Sequence, residues 1–358
     1  MNGWLDALPD PRRQELCVYP GRHLWWQMSL TFLLRDGSPN AFDADRNSGQ
    51  LPENMRQICD HQWDASRLGE RLTVTCSENA KGHASRVAVG EVARIPLFMV
   101  RRLMEMRRLD SARLFDRWWL IAIDGTLQDR GRDTQQGQAR CLPICLLLDG
   151  LYPVQPVFDL CAAYDWKFIA THREGRQPMA WDEAVQTMLM SPSLVSKGHR
   201  LGEDGMVEQT LRWTHQVPFG QHEFQVLFSG EISPTSATLW VWVTNFMLTD
   251  QNVYAIANHG GRARQGIENV FNVEKNGGFG LEHAFCANAT ASQNYHLMMQ
   301  VAHILEQLLV NGLLRRLTRA CRKVTDSKLI ELLRSNLLHV RIDPSLPVFG
   351  QIRFFSSA

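Results

Sequence analysis

Two short apolar runs, each closed by Asp-Gly, constrain this chain more than any other feature. In "RWWLIAIDGT", residues 120–123 lead into Asp124 and Gly125; "LPICLLLDG" ends in Asp149 and Gly150. Apolar runs this short that stop at a turn read as buried strands, here with a carboxylate at each C-terminal tip. "LYPVQPVFDLCAAYD" follows as a helix and "WKFIATH" as a third strand. Strand, helix, strand predicts a parallel unit and an α/β class. Such sheets place their sites at the carboxyl edge. As neighbours, the two strands would bring Asp124 and Asp149 to about 5 Å. Two carboxylates that close repel each other unless a cation lies between them, and magnesium accepts hard oxygen ligands. A third carboxylate from a helix would complete a two-metal site for phosphoryl transfer.

A candidate for that carboxylate lies in "GGRARQGIENVFNVEKNGGFG". On a helix, Arg264, Phe271 and Lys275 fall within about 20° of one direction, with Glu268 about 40° from Arg264. A surface helix separates charges from large apolar residues, so a charged face containing Phe271 points to a cleft. There Glu268 would bind metal, while Arg264 and Lys275 would hold phosphates. Spacing alone favours the plainer reading, an i,i+4 salt bridge between Arg264 and Glu268. Strand-tip aspartates also serve simply as turn formers. Asp129, Asp133 and Asp204 are alternative second acids, ranked lower because they lie in polar loops that no strand fixes.

The chain has 358 residues, 44% of them apolar, so a sizeable core is expected and global disorder is not. Its formal net charge of +1 leaves nucleic acid open, because binding follows local charge. Residues 1–117 read as helix and loop, with one short helix at 52–62 and a longer helical stretch in which Pro96 marks a boundary or a first turn. Arg101, Arg102, Arg107, Arg108, Arg113 and Arg117 give this region a basic bias, fit for a solvated face or for phosphate contact. Residues 118–204 would form the first part of the core. Residues 205–248 are β-rich and aromatic and read as an antiparallel insertion joined by "SPTS". Residues 249–323 return to helix and end in the basic cluster Arg315, Arg316, Arg319, Arg322 and Lys323. Residues 324–358 read as a tail. Trp118, Trp119, Trp240 and Trp242 are expected in strands or core, and His259 and His283 as local hydrogen-bonding residues. The eight cysteines are scattered without CxxC, as expected of thiols in a reducing compartment. No signal peptide or membrane span is expected, which points to the cytoplasm.

"LIAIDGT", "LLLDGLY" and the R-x3-E-x6-K spacing at Arg264, Glu268 and Lys275 together resemble the DDE transposases of bacterial insertion sequences. The branch is the one with a Tyr-Arg-Glu-Lys signature and a β-rich insertion before the glutamate. The likeness runs from about residue 8 to residue 315, and "VTNFMLTDQNVYAIANHGGRARQGIENVFNVEKNGGFGLEHAF" carries most of it. It implies an RNase H-like catalytic core and an N-terminal DNA-binding region. It also implies two divalent metals (Mg2+ or Mn2+) held by Asp124, Asp149 and Glu268, with Arg264 and Lys275 on DNA near the transposon end. The partners implied are transposon ends and target DNA, with a homodimer on DNA and no membrane; the place implied is the bacterial cytoplasm, at the nucleoid.

The sequence departs from the family pattern twice. Gly261 stands where the signature tyrosine belongs, and Tyr254 is too far back to replace it. Only residues 125–148 separate the two aspartates, whereas the family fold places two strands and a helix there, at least roughly 25 residues before any loops. "GTLQDRGRDTQQGQARC" is almost wholly polar and supplies no core strand. In the family's sheet order, 3-2-1-4-5, strands 3 and 2 would be missing. Strands 1 and 4 would stay adjacent, with "LIAI" as an apolar edge. The expectation is therefore transposase ancestry with impaired activity. A non-catalytic DNA-binding remnant and a metal-dependent nuclease are the alternatives.

Overall fold

The protein is seen in a computed structural model that describes residues 1–60, 73–123, 142–202, 205–314 and 325–342. Two compact units divide the chain: residues 1–109 with 271–358, and residues 110–270.

The first unit opens with helices α1 (Asn2–Asp6), α2 (Gly21–Leu33), α3 (Pro39–Asp45), α4 (Leu51–Ile58), α5 (Ser77–Ala84) and α6 (Val89–Glu105). The second unit carries strands β1 (Arg113–Leu114), β2 (Trp118–Ile123) and β3 (Ile144–Leu148), helix α7 (Gln155–Tyr164), strand β4 (Lys167–Thr171) and helix α8 (Pro178–Met190). Strands β5 (Val195–Gly202), β6 (Gly205–Phe219), β7 (His222–Ile232) and β8 (Ala237–Thr244) follow, then the single turn α9 (Val253–Ala255). Helix α10 (Gln265–Asn276) contains the boundary, between Val270 and Phe271. Helices α11 (Ala289–Leu308) and α12 (Asp326–His339) belong to the first unit.

The first unit is built around α2 and α11. "HLWWQMSLTFLL" is apolar on nearly every side, and a helix of that kind must be surrounded. Trp25, Met28 and Phe32 of α2 share a core with Tyr295, Met298, Val301 and Ala302 of α11. Buried amides close helix ends there. Asn294 Nδ2 donates to the carbonyls of Ala84 (2.8 Å) and Val87 (2.9 Å), and Asn54 Nδ2 to that of Leu337 (2.8 Å).

Several local expectations change in this unit. In place of the one short helix expected at 52–62, the chain forms α3, α4 and α5. Pro96 neither bounds nor starts a helix; it lies inside α6. There Val92, Ile95 and Met99 are buried on one face, and their packing holds the helix together across the missing N–H. The stretch read as a tail contains α12. Thr325 Oγ1 caps it by accepting from the Lys328 N–H, and Leu329, Ile330 and Leu337 are its buried residues. Among the described cysteines, Cys59, Cys145 and Cys161 are buried free thiols. Burial pushes the Cys59 thiol up to about 12 and that of Cys161 to about 11.

The second unit is an α/β layer on one eight-stranded sheet, ordered β1-β2-β3-β4-β8-β7-β6-β5. β2, β3 and β4 run parallel, and the pairs Ile123↔Leu148 and Leu148↔Ala170 set their register. α7 and α8 cover one face over Leu146, Leu148, Phe168 and Val243. Val253, Ile256 and Ala257 pack on the other against Leu147, Ile169 and Trp242. The antiparallel part begins earlier than residue 205, at β5. It is also continuous with the parallel part, because β8 pairs with β4. Among the described residues, only β1 lies beyond β2, and it pairs with Trp118 and Trp119 alone. Among the described residues, 120–123 have a partner strand on the β3 side only. Among the described residues no helix is long and apolar enough to cross a membrane.

Candidate active site at the carboxyl edge of the sheet

The parallel strands β2, β3 and β4 end side by side, so Ile123, Leu148 and Thr171 share one edge of the sheet. Asp149 follows β3 there. Its side chain is only 21% exposed, yet Oδ1 is buried with no hydrogen-bond donor among the described residues. Arg173 Nη2 stands 3.6 Å away, beyond hydrogen-bonding distance. A buried carboxylate oxygen left this way is costly unless a cation completes it. Asp124 follows the paired residue Ile123 but lies outside the described residues, as do Asp129, Asp133, Asp204 and the basic cluster at residues 315–323. Among the described residues no three His, Cys, Asp or Glu side chains gather to hold a metal.

Arg173 was not singled out in the sequence. The signal was its place in "WKFIATHREG", just past the tip of the third strand. Beside it His172 is buried against Trp181 and Phe219, and burial lowers its imidazole to about 4. His172 is therefore neutral near pH 7.

The signature stretch is less regular than one helix. A π turn over Ile256–Gly260 passes into a 3-10 turn over Gly261–Arg264, and only then does α10 start. Arg264 precedes the α-helix, so the 100° arithmetic that aligned it with Phe271 and Lys275 does not hold. The Arg264–Glu268 pair does form, with Nη2 2.5 Å from Oε1; Glu268 remains 58% exposed. Lys275, also exposed, pairs with Glu282 at 2.8 Å. Gly261 has a steric cause: a Cβ there would overlap the indole of the buried Trp242. A tyrosine at 261 does not fit this packing.

Sequence reasoning missed Arg262 and Glu231. Arg262 pairs with Glu231, whose side chain is 3% exposed, and its guanidinium lies 5.0 Å over the Trp240 ring. Burial works to raise the Glu231 carboxyl, but hydrogen bonds from Arg200 and Arg262 outweigh it and hold the group below its usual range. An arginine two residues from another and a lone glutamate in a strand carry no sequence signal of this pairing.

In the first unit the C-terminal part of the stretch is equally buried. His303 Nδ1 donates to Glu274 Oε1 at 2.9 Å. Arg35 binds Glu306 through Nε (2.9 Å) and Nη2 (2.5 Å), donates to the Gly277 carbonyl, and covers the Phe279 ring at 4.6 Å. Gly280, at φ +70°, rests on the Gly37 carbonyl, where a Cβ would collide.

Other candidates take structural places. His259 meets the Tyr254 ring edge-on, and the His283 N–H donates to the Gly280 carbonyl at 2.8 Å. Trp118 and Trp242 are buried in the sheet's core. The basic bias near α6 is partly neutralised: Arg102 pairs with Glu105 at 3.1 Å and Arg113 with Asp110 at 3.2 Å. Arg117 lies 4.7 Å over the Trp118 ring.

No protein-family model matches the chain, and no curated protein sequence matches it.

Proposed function

We propose that the chain is a DDE-type transposase that cuts and joins DNA by metal-dependent phosphoryl transfer, with its catalytic part an RNase H-like fold shortened at one edge. The observation that carries this reading is Oδ1 of Asp149, buried without a hydrogen-bond partner among the described residues and placed just after Leu148, the register partner of Ile123. An acceptor-only group in that state suits a hard divalent cation. Asp124, Asp149 and Glu268 would hold Mg2+ or Mn2+. When bound, the metal ions would lower the pKa of water and neutralise charge on the phosphate in flight. Arg264 orients Glu268 through its ion pair. Arg264, Lys275 and Arg173 supply cationic donors for phosphate oxygens. DNA at transposon ends and in the target would be the substrate, with two copies of the chain pairing the ends, at the nucleoid of a bacterial cell.

Low activity is part of the proposal. Among the described residues only the two-residue strand β1 lies beyond β2, and a strand without a partner along residues 120–123 would hold its tip less firmly. This edge also favours the second reading, a DNA-binding remnant without catalysis.

The test is incubation of the full chain with a supercoiled plasmid carrying the flanking DNA of its own gene, with and without Mn2+. Metal-dependent nicks and joined products are expected at a slow rate, and Asp149→Ala should abolish both. Nicks without joined products would leave a nuclease; binding with no nick would leave the remnant. Nicking unchanged by Asp149→Ala would reject the site.

A further inference from the structure

A helix that lies mostly in solvent cannot fix the direction of its own first turn. α10 is such a helix, with Glu274 its one buried residue. The segment just before it is tethered by a buried polar network that the transposase reading leaves unused. Glu231 accepts from Arg200 Nη2 (2.8 Å), Gln209 Nε2 (2.9 Å) and Ser229 Oγ (3.1 Å), and pairs with Arg262. Gln209 and Asn258 exchange two hydrogen bonds, at 3.1 and 2.8 Å. Asn258 Nδ2 reaches the Tyr254 carbonyl at 3.0 Å, and the Tyr254 hydroxyl donates to the His199 carbonyl at 3.1 Å. β5, β6 and β7 are thereby joined to residues 254–262. β8 adds Trp240 beneath Arg262 and Trp242 beneath Gly261, the two indoles stacked at 6.2 Å.

The chemistry of this network resists displacement. Withdrawing Arg262 would leave a buried carboxylate short of a partner and an indole face uncovered. Gly261 on Trp242 leaves no room for the backbone to slide towards the sheet. Arg264 lies one residue past Ala263, and Glu268 is bound to it.

We propose that Arg262 is a positioning residue: its pairing with Glu231 and its stacking on Trp240 set where the Arg264–Glu268 pair stands at the start of α10. The proposal rests on the transposase reading for what that pair does, and on the network's geometry for how it is held. The antiparallel strands β5–β8 are then a working part of the site rather than an appendage to it.

The experiment uses the full chain as wild type, Arg262→Gln, Arg262→Lys and Glu231→Gln. Amide hydrogen exchange is read over residues 256–268, with β3 and α7 as internal references, and Mn2+ affinity is measured by calorimetry. Arg262→Gln should speed exchange over 256–268 by about tenfold while the references hold. It should also weaken Mn2+ binding by about tenfold, the effect expected when a group that orients a metal ligand is lost. Arg262→Lys keeps the charge but not the planar stack, and should fall between. Unchanged exchange over 256–268 overturns the proposal. So does exchange that rises equally in β3 and α7, which marks a general loss of structure. Should Arg262→Gln unfold as a whole, the isosteric Glu231→Gln is read by the same criteria. If no variant and not even the wild type binds Mn2+, the metal reading fails, while the exchange result still decides the positioning.

Discussion

The two ends of the stretch from Gly260 to Gly280 are anchored by the same means in two different units. At the first end Arg262 meets Glu231 over Trp240, with Gly261 pressed on Trp242. At the other, Arg35 meets Glu306 over Phe279, with Gly280 pressed on Gly37. Each anchor joins a guanidinium, a carboxylate that is 3% exposed, an aromatic face and a glycine. Between the anchors Glu268 and Lys275 are exposed and pair locally, Lys275 with Glu282, whereas Glu274 is buried against His303. Buried ion pairs fix the backbone at both ends, while Glu268 and Lys275, to which the proposed reading gives metal and DNA, stand exposed. The anchors differ in reach. The first spreads over three strands and an asparagine, whereas the second clamps one turn against another.

That difference can be broken first at the narrower anchor. Arg35→Ala leaves the Glu306 carboxylate buried and without its one partner among the described residues. A loss of about 3–5 kcal/mol is expected in urea denaturation. A loss under about 1 kcal/mol would mean that Glu306 is not held as described. At the broader anchor, Gly261→Tyr introduces the tyrosine of the signature that the stretch resembles but drives a ring into Trp242. Overpacking of this kind costs about 1–3 kcal/mol, so a lower melting temperature is expected, with recovery when Trp242 is also reduced to alanine. If Gly261→Tyr alone stabilises the protein, Trp242 is not what excludes the tyrosine.

Legibility in the sequence followed the range of the interactions. The parallel strands and α7 were readable because apolar runs of strand length, closed by Asp-Gly or followed by a helical period, have few alternatives. The shared sheet edge followed from handedness and adjacency. The continuity of β8 with β4 was not readable, since pairing partners distant in sequence leave no local mark. α12 was readable and overlooked: Thr325 as a cap and the apolar spacing of Leu329, Ile330 and Leu337 announce it. The 3-10 turn at Gly261–Arg264 was hidden, because arginines suit a regular helix as well. Glu231 and Arg262 became a pair only through the fold. Of the candidate site, Asp149 took the place expected at the strand tip, and Glu268 kept the partner that its spacing allowed.

Acid should act unequally on the two units. Burial, with Arg12's charge adding to it, lowers His23 to about 3 and His83 to about 4, both in the first unit; in the second, burial lowers His172 to about 4. Each is neutral when folded and takes a proton near pH 6.5 once unfolded. The unfolded chain therefore binds more protons below that pH. Stability is full above about 6.5 and falls as the pH drops towards 4 and then 3, by roughly 1.4 kcal/mol per histidine and pH unit. Asp36 opposes this. Burial raises its carboxyl to about 6, so it adds stability as pH falls from 6 towards its ordinary 3.8. Between pH 6 and 4 two histidines against one carboxylate give the first unit the same net slope as His172 gives the second; the units part only below 4, where His23 alone of these groups still takes up a proton. Amides of the first unit should lose further protection between pH 4 and 3 beyond the loss in β3 and β4, and an equal or smaller loss there would reject the assignment.

The smallest effect on folding is expected where the effect on function should be greatest. Glu268→Gln removes an exposed charge from a pair with Arg264, and such i,i+4 pairs contribute only a few tenths of a kcal/mol. The melting curve should hardly move. In the proposed reading the same change withdraws a metal ligand, so metal-dependent nicking should fall by orders of magnitude. The two readouts together separate the open interpretations of the stretch. A flat melting curve with lost nicking makes Glu268 part of a site, held between two anchors that do not depend on it. A flat melting curve with unchanged nicking reduces it to one surface salt bridge among others. A melting curve that drops by more than about 1 kcal/mol would show the middle of the stretch to be structural like its ends, and the contrast between buried anchors and exposed tools would be lost.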